Sequence, residues 1–152
     1  QISHIDHYRA RIVLPYDPRA VVVMAGEADL SDVRGRRPED LLDDFRTLAL
    51  SLRAEGEDAP IYFVSLRPAP AREERWYGQQ RANALIADYV RGEKEMYFID
   101  VSSAMLDDKG NIRDDLYRWD GLTLNGKGYE TIGPIIRQRL IDAGYGALRP
   151  SR

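Results

Sequence analysis

Apolar residues recur along the chain with two different spacings. Stretches with helical spacing predict four helices, over about residues 2–14, 38–54, 73–91 and 128–142. Short apolar runs predict three strands, over about residues 20–25, 60–66 and 96–101. The first of these runs reads AVVVMA and holds no polar residue, which is typical of a strand buried on both faces.

Each predicted helix has an apolar face that we expect to be buried. In the first helix this face holds Ile2, Ile5, Tyr8, Ile12 and Val13. In the second it holds Leu41, Leu42, Phe45, Leu48, Ala49 and Leu52. In the third it holds Trp76, Ala84, Leu85 and Tyr89. Pro38 suits the first position of the second helix, because that position needs no backbone donor, and Gly56 is expected to end the helix.

The alternation of helices and strands predicts an α/β fold. Helices between successive short strands favour a parallel sheet with helices on both of its faces. The chain has the length of one domain, so we expect residues 1–152 to form a single domain. Three strands are few for such a sheet, and the chain starts at Gln1 inside a helical pattern. We therefore expect the domain to be incomplete at its N-terminal end.

Composition and charge exclude several classes of partner and site. The formal net charge is -3, whereas a nucleic-acid partner favours a basic face. No apolar run reaches the roughly 18 residues of a membrane span. The chain has no cysteine, which excludes disulfides, a thiol nucleophile and zinc-thiolate sites. We expect a soluble protein, with the cytoplasm slightly favoured, and neither a cofactor nor a metal.

Ligands bind at the carboxyl ends of the strands in parallel α/β sheets, where three segments of this chain compete. These are GEADL after the first strand, RPAPAR after the second, and the loop from Ser102 to Gly128 after the third. In the first segment, Gly26 lets the backbone approach a ligand closely, and Asp29 can bond backbone amides. The alternative for that segment is a turn followed by a solvated acidic loop.

The segment DGLTLNGKGYE, which begins at Asp120, contains an Asp-Gly and an Asn-Gly turn. It is either a functional loop or the start of the last helix, capped by Asn125 and anchored by Leu122 and Leu124. In the second case Thr123 is a small polar residue that bonds local backbone.

Other candidate groups carry weaker signals. The two histidines, His4 and His7, lie on the first helix, and we expect His7 at the surface. The serines at 31, 51, 65, 102 and 103 lack the sequence context of a nucleophile. The run DDKGNIRDD lacks the ligand spacing of an EF-hand loop, so its carboxylates are interpreted as solvated turns.

Three segments, in the same order and register, resemble blocks of the SGNH or GDSL-type serine hydrolases, a family of esterases and lipases. VVVMAGEADL resembles the G-x-N-D block that follows a parallel strand. DGLTLNGKGYETIGPII resembles the D-x-x-H block before the last helix, and FVSLRPAPAR resembles the loop after the middle strand. The resemblance covers essentially the whole chain. It implies a flavodoxin-like three-layer α/β/α fold with a parallel sheet, whose first two family strands are missing here.

The resemblance also assigns residues to family positions. Gly26 and Asp29 match the glycine and the aspartate of the G-x-N-D block, and Ala28 stands where the family has an asparagine that donates to the oxyanion. Asp120 matches the aspartate that orients the catalytic histidine, and Thr123 stands at the position of that histidine. The sequence contains neither the G-D-S block with the nucleophilic serine nor the block with the oxyanion-binding glycine.

These positions imply an ester hydrolase domain whose base and one oxyanion donor are substituted and whose nucleophile block is absent. The implied substrate is a small acyl or acetyl ester, with carbohydrate esters among the candidates. A threonine hydroxyl is not a base near neutral pH, so we expect this chain to be inactive. The alternative is a non-catalytic domain of the same fold that binds a small ester or acyl ligand in the same cleft.

The family's strand order makes a further prediction about residues 20–25. In that order the strand that carries the nucleophile lies beside this one. An unpaired apolar edge is a template for pairing, so we expect a missing upstream segment or a homo-oligomeric partner to cover the strand. A solvent-exposed edge along Val21 to Met24 in a well-ordered monomer would contradict both the family resemblance and the expectation that the chain is incomplete.

Overall fold

Three parallel strands form the centre of the molecule. The computed structural model describes residues 1–30 and 35–145. The strands are β1 (Val21–Val23), β2 (Ile61–Val64) and β3 (Met96–Ile99). They lie in the spatial order β1-β2-β3, and both pairs are parallel. Val22 pairs with Tyr62 and Tyr62 with Tyr97, so these three side chains lie on one face of the sheet.

Four helices surround this sheet. They are α1 (Ile2–Ile12), α2 (Pro38–Ala54), α3 (Trp76–Arg91) and α4 (Gly126–Leu140). The predicted α/β fold with a parallel sheet is therefore confirmed. Among the described residues, no helix has both the length and the apolar character that crossing a membrane requires.

The hydrophobic core has two layers, one on each face of the sheet. On one face, apolar residues of α1, α2 and α3 pack with Val23 and Phe63. On the other face, Tyr62 and Val64 pack with Ile132 of α4 and with the segment that follows β3. The two layers hold the carboxyl ends of the strands in place, and the loops that follow those ends lie at one edge of the sheet.

Helix α2 forms where the pattern predicts it. It starts at Pro38, and the carboxylate of Asp40 accepts a hydrogen bond of 2.7 Å from the backbone N–H of Arg37 just before the helix. All six residues of its predicted apolar face are buried. Phe45 packs edge-on against Phe63 of β2, with 4.9 Å between the ring centroids. This helix is the part of the fold that periodicity predicts best.

The predicted buried face of α1 is wrong in part. Ile2 is fully buried, but Tyr8 and Ile12 are about half exposed, at 49% and 53%. Helix α1 packs mainly on α2, so only part of its apolar face has a surface to cover it. The helix also ends at Ile12, two residues before the predicted end.

The predicted buried face of α3 is also wrong in part. Ala84 is exposed, and Trp76, Leu85 and Tyr89 are only partly buried. The buried positions are instead Gln79, Ala82, Asn83, Ile86 and Val90.

Asn83 explains why a polar position of α3 can face inwards. Its Oδ1 accepts a hydrogen bond from the backbone N–H of Leu66 at 2.8 Å, and its Nδ2 donates to the carbonyl of Leu66 at 3.0 Å. Because both polar ends of the amide are bonded, burying it costs little. Hydropathy gives no sign of such a pairing.

Strand β1 has an open outer edge in the described chain. It pairs with β2 only, and Val22 and Met24 are 42% and 40% exposed. The prediction that residues 20–25 are buried on both faces is therefore wrong for this chain. Helix α4 packs against β3 and leaves the sheet face at Val22 uncovered.

That an upstream segment or a second copy of the chain covers this edge stays a prediction. A strand added to β1 would bond the outward backbone groups of Val22 and Met24 and slow their amide hydrogen exchange. We expect slower exchange at these two residues in a chain extended by such an upstream segment, or in a dimer of this chain, than in the isolated monomer. Equal exchange in all three samples would contradict the prediction.

Candidate functional site

Three loops at the carboxyl ends of the strands meet around a cavity of about 220 Å³. The loop after β1 contributes Glu27 and Ala28, and the loop after β2 contributes residues between Arg67 and Arg72. The long segment after β3 contributes Tyr117 and Leu122. The structure thus brings together the three segments that compete as candidate sites in the sequence. We call this space the loop cavity.

The loop that starts at Asp120 is closed by the side chain of that residue. Oδ1 of Asp120 accepts hydrogen bonds from the backbone N–H groups of Leu122 at 2.9 Å and Thr123 at 2.8 Å. Oδ2 accepts a third hydrogen bond, of 2.6 Å, from the hydroxyl of Thr123. Thr123 therefore bonds the aspartate side chain, and both carboxylate oxygens of Asp120 are used inside the loop.

These hydrogen bonds also fix the charge of Asp120. The hydroxyl of Thr123 lowers its pKa most, followed by the backbone amides of Thr123 and Leu122, and the pKa falls to about 2. Asp120 is thus ionised at neutral pH. A threonine hydroxyl that donates to a carboxylate has no basic lone pair comparable to that of an imidazole.

Backbone contacts hold the same loop against the rest of the site. The backbone N–H of Arg118 donates to the carbonyl of Thr123 at 2.8 Å, and the N–H of Ala71 donates to the carbonyl of Gly121 at 3.2 Å. Gly121 has a φ of +61°, and a Cβ there would lie 3.0 Å from the Ala71 nitrogen. The loop after β2 and the loop at Asp120 can approach this closely because residue 121 is glycine.

The start of α4 adjoins this loop. The side chain of Asn125 accepts a hydrogen bond of 3.0 Å from the backbone N–H of Gly128, which confirms that Asn125 caps the helix. Leu124 is buried as predicted, whereas Leu122 is 40% exposed and lines the loop cavity. One of the two expected apolar anchors is therefore part of the cavity wall.

The segment after β1 places its candidate residues in different environments. Gly26 has a φ of +121°, and a Cβ there would lie 2.9 Å from Leu66, so the turn requires glycine. Ala28 is exposed and lines the loop cavity. Asp29 is buried and faces away from the solvent, with 1% of its surface exposed.

Asp29 connects the turn after β1 to α1. Its Oδ2 accepts a hydrogen bond of 3.1 Å from the backbone N–H of Ile2, one of the donors that a helix start leaves unpaired. Its Oδ1 has no hydrogen-bond partner among the described residues, and Nη1 of Arg36 lies 3.7 Å from it. The prediction that Asp29 bonds a backbone amide is therefore correct, but no sequence pattern indicates that this amide belongs to α1.

The comparisons with known proteins give a clear result at the level of the fold. No family model matches the chain, and no curated protein matches it in sequence. Solved structures do match. A GDSL-like lipase from Bacteroides thetaiotaomicron superposes with a TM-score of 0.74 at 21% identity, over 94% of this chain and 72% of that one. The chain has the SGNH hydrolase fold.

Two further structures support the SGNH fold. A carbohydrate esterase family 3 protein from Talaromyces cellulolyticus has a TM-score of 0.75 at 21% identity, over 94% of this chain and 67% of that one. The OSK domain of Drosophila Oskar has a TM-score of 0.77 at 19% identity, over 92% of this chain and 70% of that one. In such comparisons this chain spans as little as 59% of the solved chain, as in a structure from Streptococcus pneumonia.

The SGNH-fold cleft of this chain includes residues that the sequence analysis missed. Nε of Arg67 donates to a carboxylate oxygen of Glu27 at 2.9 Å, which joins the loops after β1 and β2 across the cavity. Burial raises the pKa of Tyr117 to about 12, and its protonated hydroxyl donates to the backbone carbonyl of Pro68. Gln79 also lines the cavity. The two hydrogen bonds span 40 and 49 residues of sequence, and Gln79 is a polar residue inside a helix, so neither a motif nor periodicity indicates these residues.

The remaining candidate groups lie outside this cleft or are engaged elsewhere. His4 and His7 are exposed on α1, as expected for His7. Ser65 is buried, and its hydroxyl oxygen accepts from the backbone N–H groups of Val101 and Ser102 at 2.9 and 3.0 Å. Ser31 lies outside the described residues.

The acidic run after β3 forms a turn, as interpreted from the sequence. Oδ1 of Asp107 accepts from the backbone N–H groups of Lys109 and Asn111, both at 2.8 Å. In residues 1–30 and 35–145, no three histidine, cysteine or acidic residues are grouped as a metal site would need.

Proposed function

We propose that this chain is an ester hydrolase domain of the SGNH fold that binds a small acyl or acetyl ester in the loop cavity but does not hydrolyse it. The fold supports the assignment to esterases, since a GDSL-like lipase and a carbohydrate esterase share it. The single observation that carries the proposed lack of turnover is the hydrogen bond from the Thr123 hydroxyl to Asp120.

The roles proposed for the site residues follow from that hydrogen bond. In acyl transfer by a serine, a base must take the proton of the nucleophile, and an aspartate orients that base. In this proposal Asp120 stands at the position of the orienting aspartate, with its pKa lowered to about 2, but the side chain that donates to it is a threonine hydroxyl. Losing a member of the triad leaves only the residual rate from binding and the remaining oxyanion donors.

In this proposal, alanine at position 28 removes a second contribution to catalysis, the hydrogen bond that a side-chain amide would donate to the oxyanion. Ala28 lines the loop cavity where we propose that a side-chain amide would donate to the oxyanion, and its methyl group has no donor. Loss of one such donor typically lowers the rate by ~100–1,000-fold. Gly26 and Asp29 then have structural roles in this proposal: Gly26 forms the turn that presents residue 28, and Asp29 fixes that turn to α1.

The binding half of this proposal can be tested with phenyl acetate. We expect a titration, followed by amide NMR, to shift the signals of Ala28, Ala69 and Leu122, which line the loop cavity. Leu50 is exposed on α2 and does not line the loop cavity, so its signals serve as the internal control. Saturable shifts confined to other surfaces, or no shifts at all, would contradict binding in this cavity.

A further inference from the structure

Gln79 is the unusual residue in the wall of the loop cavity. Its side chain comes from α3 and is 97% buried, since only 3% of its surface is exposed. Its Oε1 has no hydrogen-bond partner among the described residues. An unbonded buried amide oxygen costs free energy, and folding alone gives no reason to retain it. A ligand that donates to this amide would satisfy it.

The other polar groups of the cavity are of both kinds, donors and acceptors. Arg72 lines the cavity and pairs with no carboxylate in the described part of the chain, so its guanidinium can donate to a ligand. Glu27 accepts one hydrogen bond from Arg67 through Oε1 and keeps a second carboxylate oxygen. A ligand that fits all three groups needs hydrogen-bond donors as well as acceptors.

The remaining lining of the cavity is apolar and small. It consists of Ala28, Pro68, Ala69, the ring of Tyr117 and Leu122. The volume of about 220 Å³ limits the ligand to roughly one six-membered ring with its substituents. Hydroxyl groups both donate and accept, and the C–H faces of a pyranose ring suit an apolar wall, so a sugar ring combines the properties that this cavity requires.

We propose that the loop cavity binds one sugar ring, with the Gln79 amide as the residue that distinguishes a hydroxylated ring from an apolar one. This inference rests on the proposed ester-binding function and names the alcohol portion of the ester as a sugar. Gln79 is a specificity-determining residue here. Its amide can rotate to present either oxygen or nitrogen, so it can accept from or donate to a ring hydroxyl.

The test uses two rings of similar size. D-xylose carries hydroxyl groups, whereas tetrahydropyran has the same ring without them. In amide NMR titrations of the chain, we expect D-xylose to shift the signals of Ala28, Ala69 and Leu122, and tetrahydropyran, which carries neither a hydroxyl nor an acetyl group, to shift them only at much higher concentration. Absence of xylose shifts at these residues would overturn the proposal.

The Gln79→Met variant separates recognition from folding. Methionine keeps the length of the side chain and removes the amide, so we expect xylose affinity to fall about tenfold, as expected for one lost hydrogen bond. We also expect the melting temperature to stay equal or rise, because the unbonded amide oxygen is gone. The matched control is Gln80→Met, on the next and exposed position of α3, which should leave xylose binding unchanged.

The outcomes also separate this inference from the proposed function. If phenyl acetate shifts the cavity signals but D-xylose does not, ester binding stands and sugar recognition is overturned. If the Gln79→Met variant binds D-xylose as tightly as the original chain, Gln79 does not determine specificity. If phenyl acetate produces no shifts in the cavity, the proposed function itself is contradicted.

Discussion

Replacing Gly128 with alanine is expected to lower the free energy of unfolding by about 1–3 kcal/mol, the usual effect of forcing extra volume into a packed site. An added Cβ would overlap the backbone carbonyl oxygen of Leu116 and lie 2.9 Å from Cδ2 of Leu124. The same Leu116 oxygen accepts a hydrogen bond of 3.0 Å from the backbone N–H of Asn125, the residue that caps α4. The methyl group would therefore separate α4 from the loop that carries Asp120.

A second glycine of the same helix provides the control. A Cβ at Gly133 would meet no atom within 4 Å, so Gly133→Ala is expected to leave stability unchanged or raise it by up to about 1 kcal/mol. Urea unfolding of both variants measures the difference, provided that the slope of each transition matches that of the original chain. Equal midpoints for the Gly128→Ala variant and the original chain would contradict the close approach.

Replacing Asp120 with alanine is expected to open the site loop. The change removes three hydrogen bonds, those from the backbone N–H groups of Leu122 and Thr123 and from the Thr123 hydroxyl. We expect faster amide hydrogen exchange at Leu122 and Thr123 at neutral pH. The matched control is Asp114→Ala, since the side chain of Asp114 accepts no hydrogen bond from the described residues.

The effect of Asp120 should also depend on pH. Its pKa is lowered from 3.8 to about 2 by the Thr123 hydroxyl and the two backbone amides. A carboxyl with a lowered folded-state pKa stabilises the fold above its unfolded value, and this contribution is lost as the pH falls through the folded value. The stability difference between the original chain and Asp120→Ala should therefore shrink from pH 4 to pH 2. A difference that stays constant over this range would contradict the ionised state of Asp120.

Local patterns predicted the elements that depend on local physics. Helix α2 follows its 3.6-residue periodicity, and every predicted apolar position, Phe45 among them, is buried. Asn125 caps α4 as expected, although Gly126, predicted in an Asn-Gly turn, is the first residue of that helix. These features depend on residues a few positions apart, so periodicity and short motifs in the sequence can predict them.

Features that depend on distant contacts were missed. The hydrogen bond from Ile2 to Asp29 spans 27 residues, and the burial of Asn83 depends on the backbone of Leu66, 17 residues away. Gln79 is a buried polar residue that lies outside the apolar face predicted for α3. Because each contact depends on how loops and helices assemble, no pattern within one segment reveals it.

The open edge of β1 shows that one criterion derived from the sequence is wrong. We expected an exposed edge along Val21 to Met24 to count against the SGNH resemblance, and Val22 and Met24 are indeed exposed. The fold is nevertheless shared with solved structures over 92% to 94% of the chain. A parallel three-stranded sheet with its helices can be ordered beside an open edge, because β2 and the α1–α2 layer hold β1 from the other sides.

We propose that Thr123 takes the place of a base and leaves this chain unable to hydrolyse the esters that it binds. The most direct measurement is the release of p-nitrophenol from p-nitrophenyl acetate by the purified chain at neutral pH, with Asp120→Asn as the matched variant. We predict release at the rate of buffer alone for both proteins. Saturable release by the original chain that is lost in Asp120→Asn would contradict the claim.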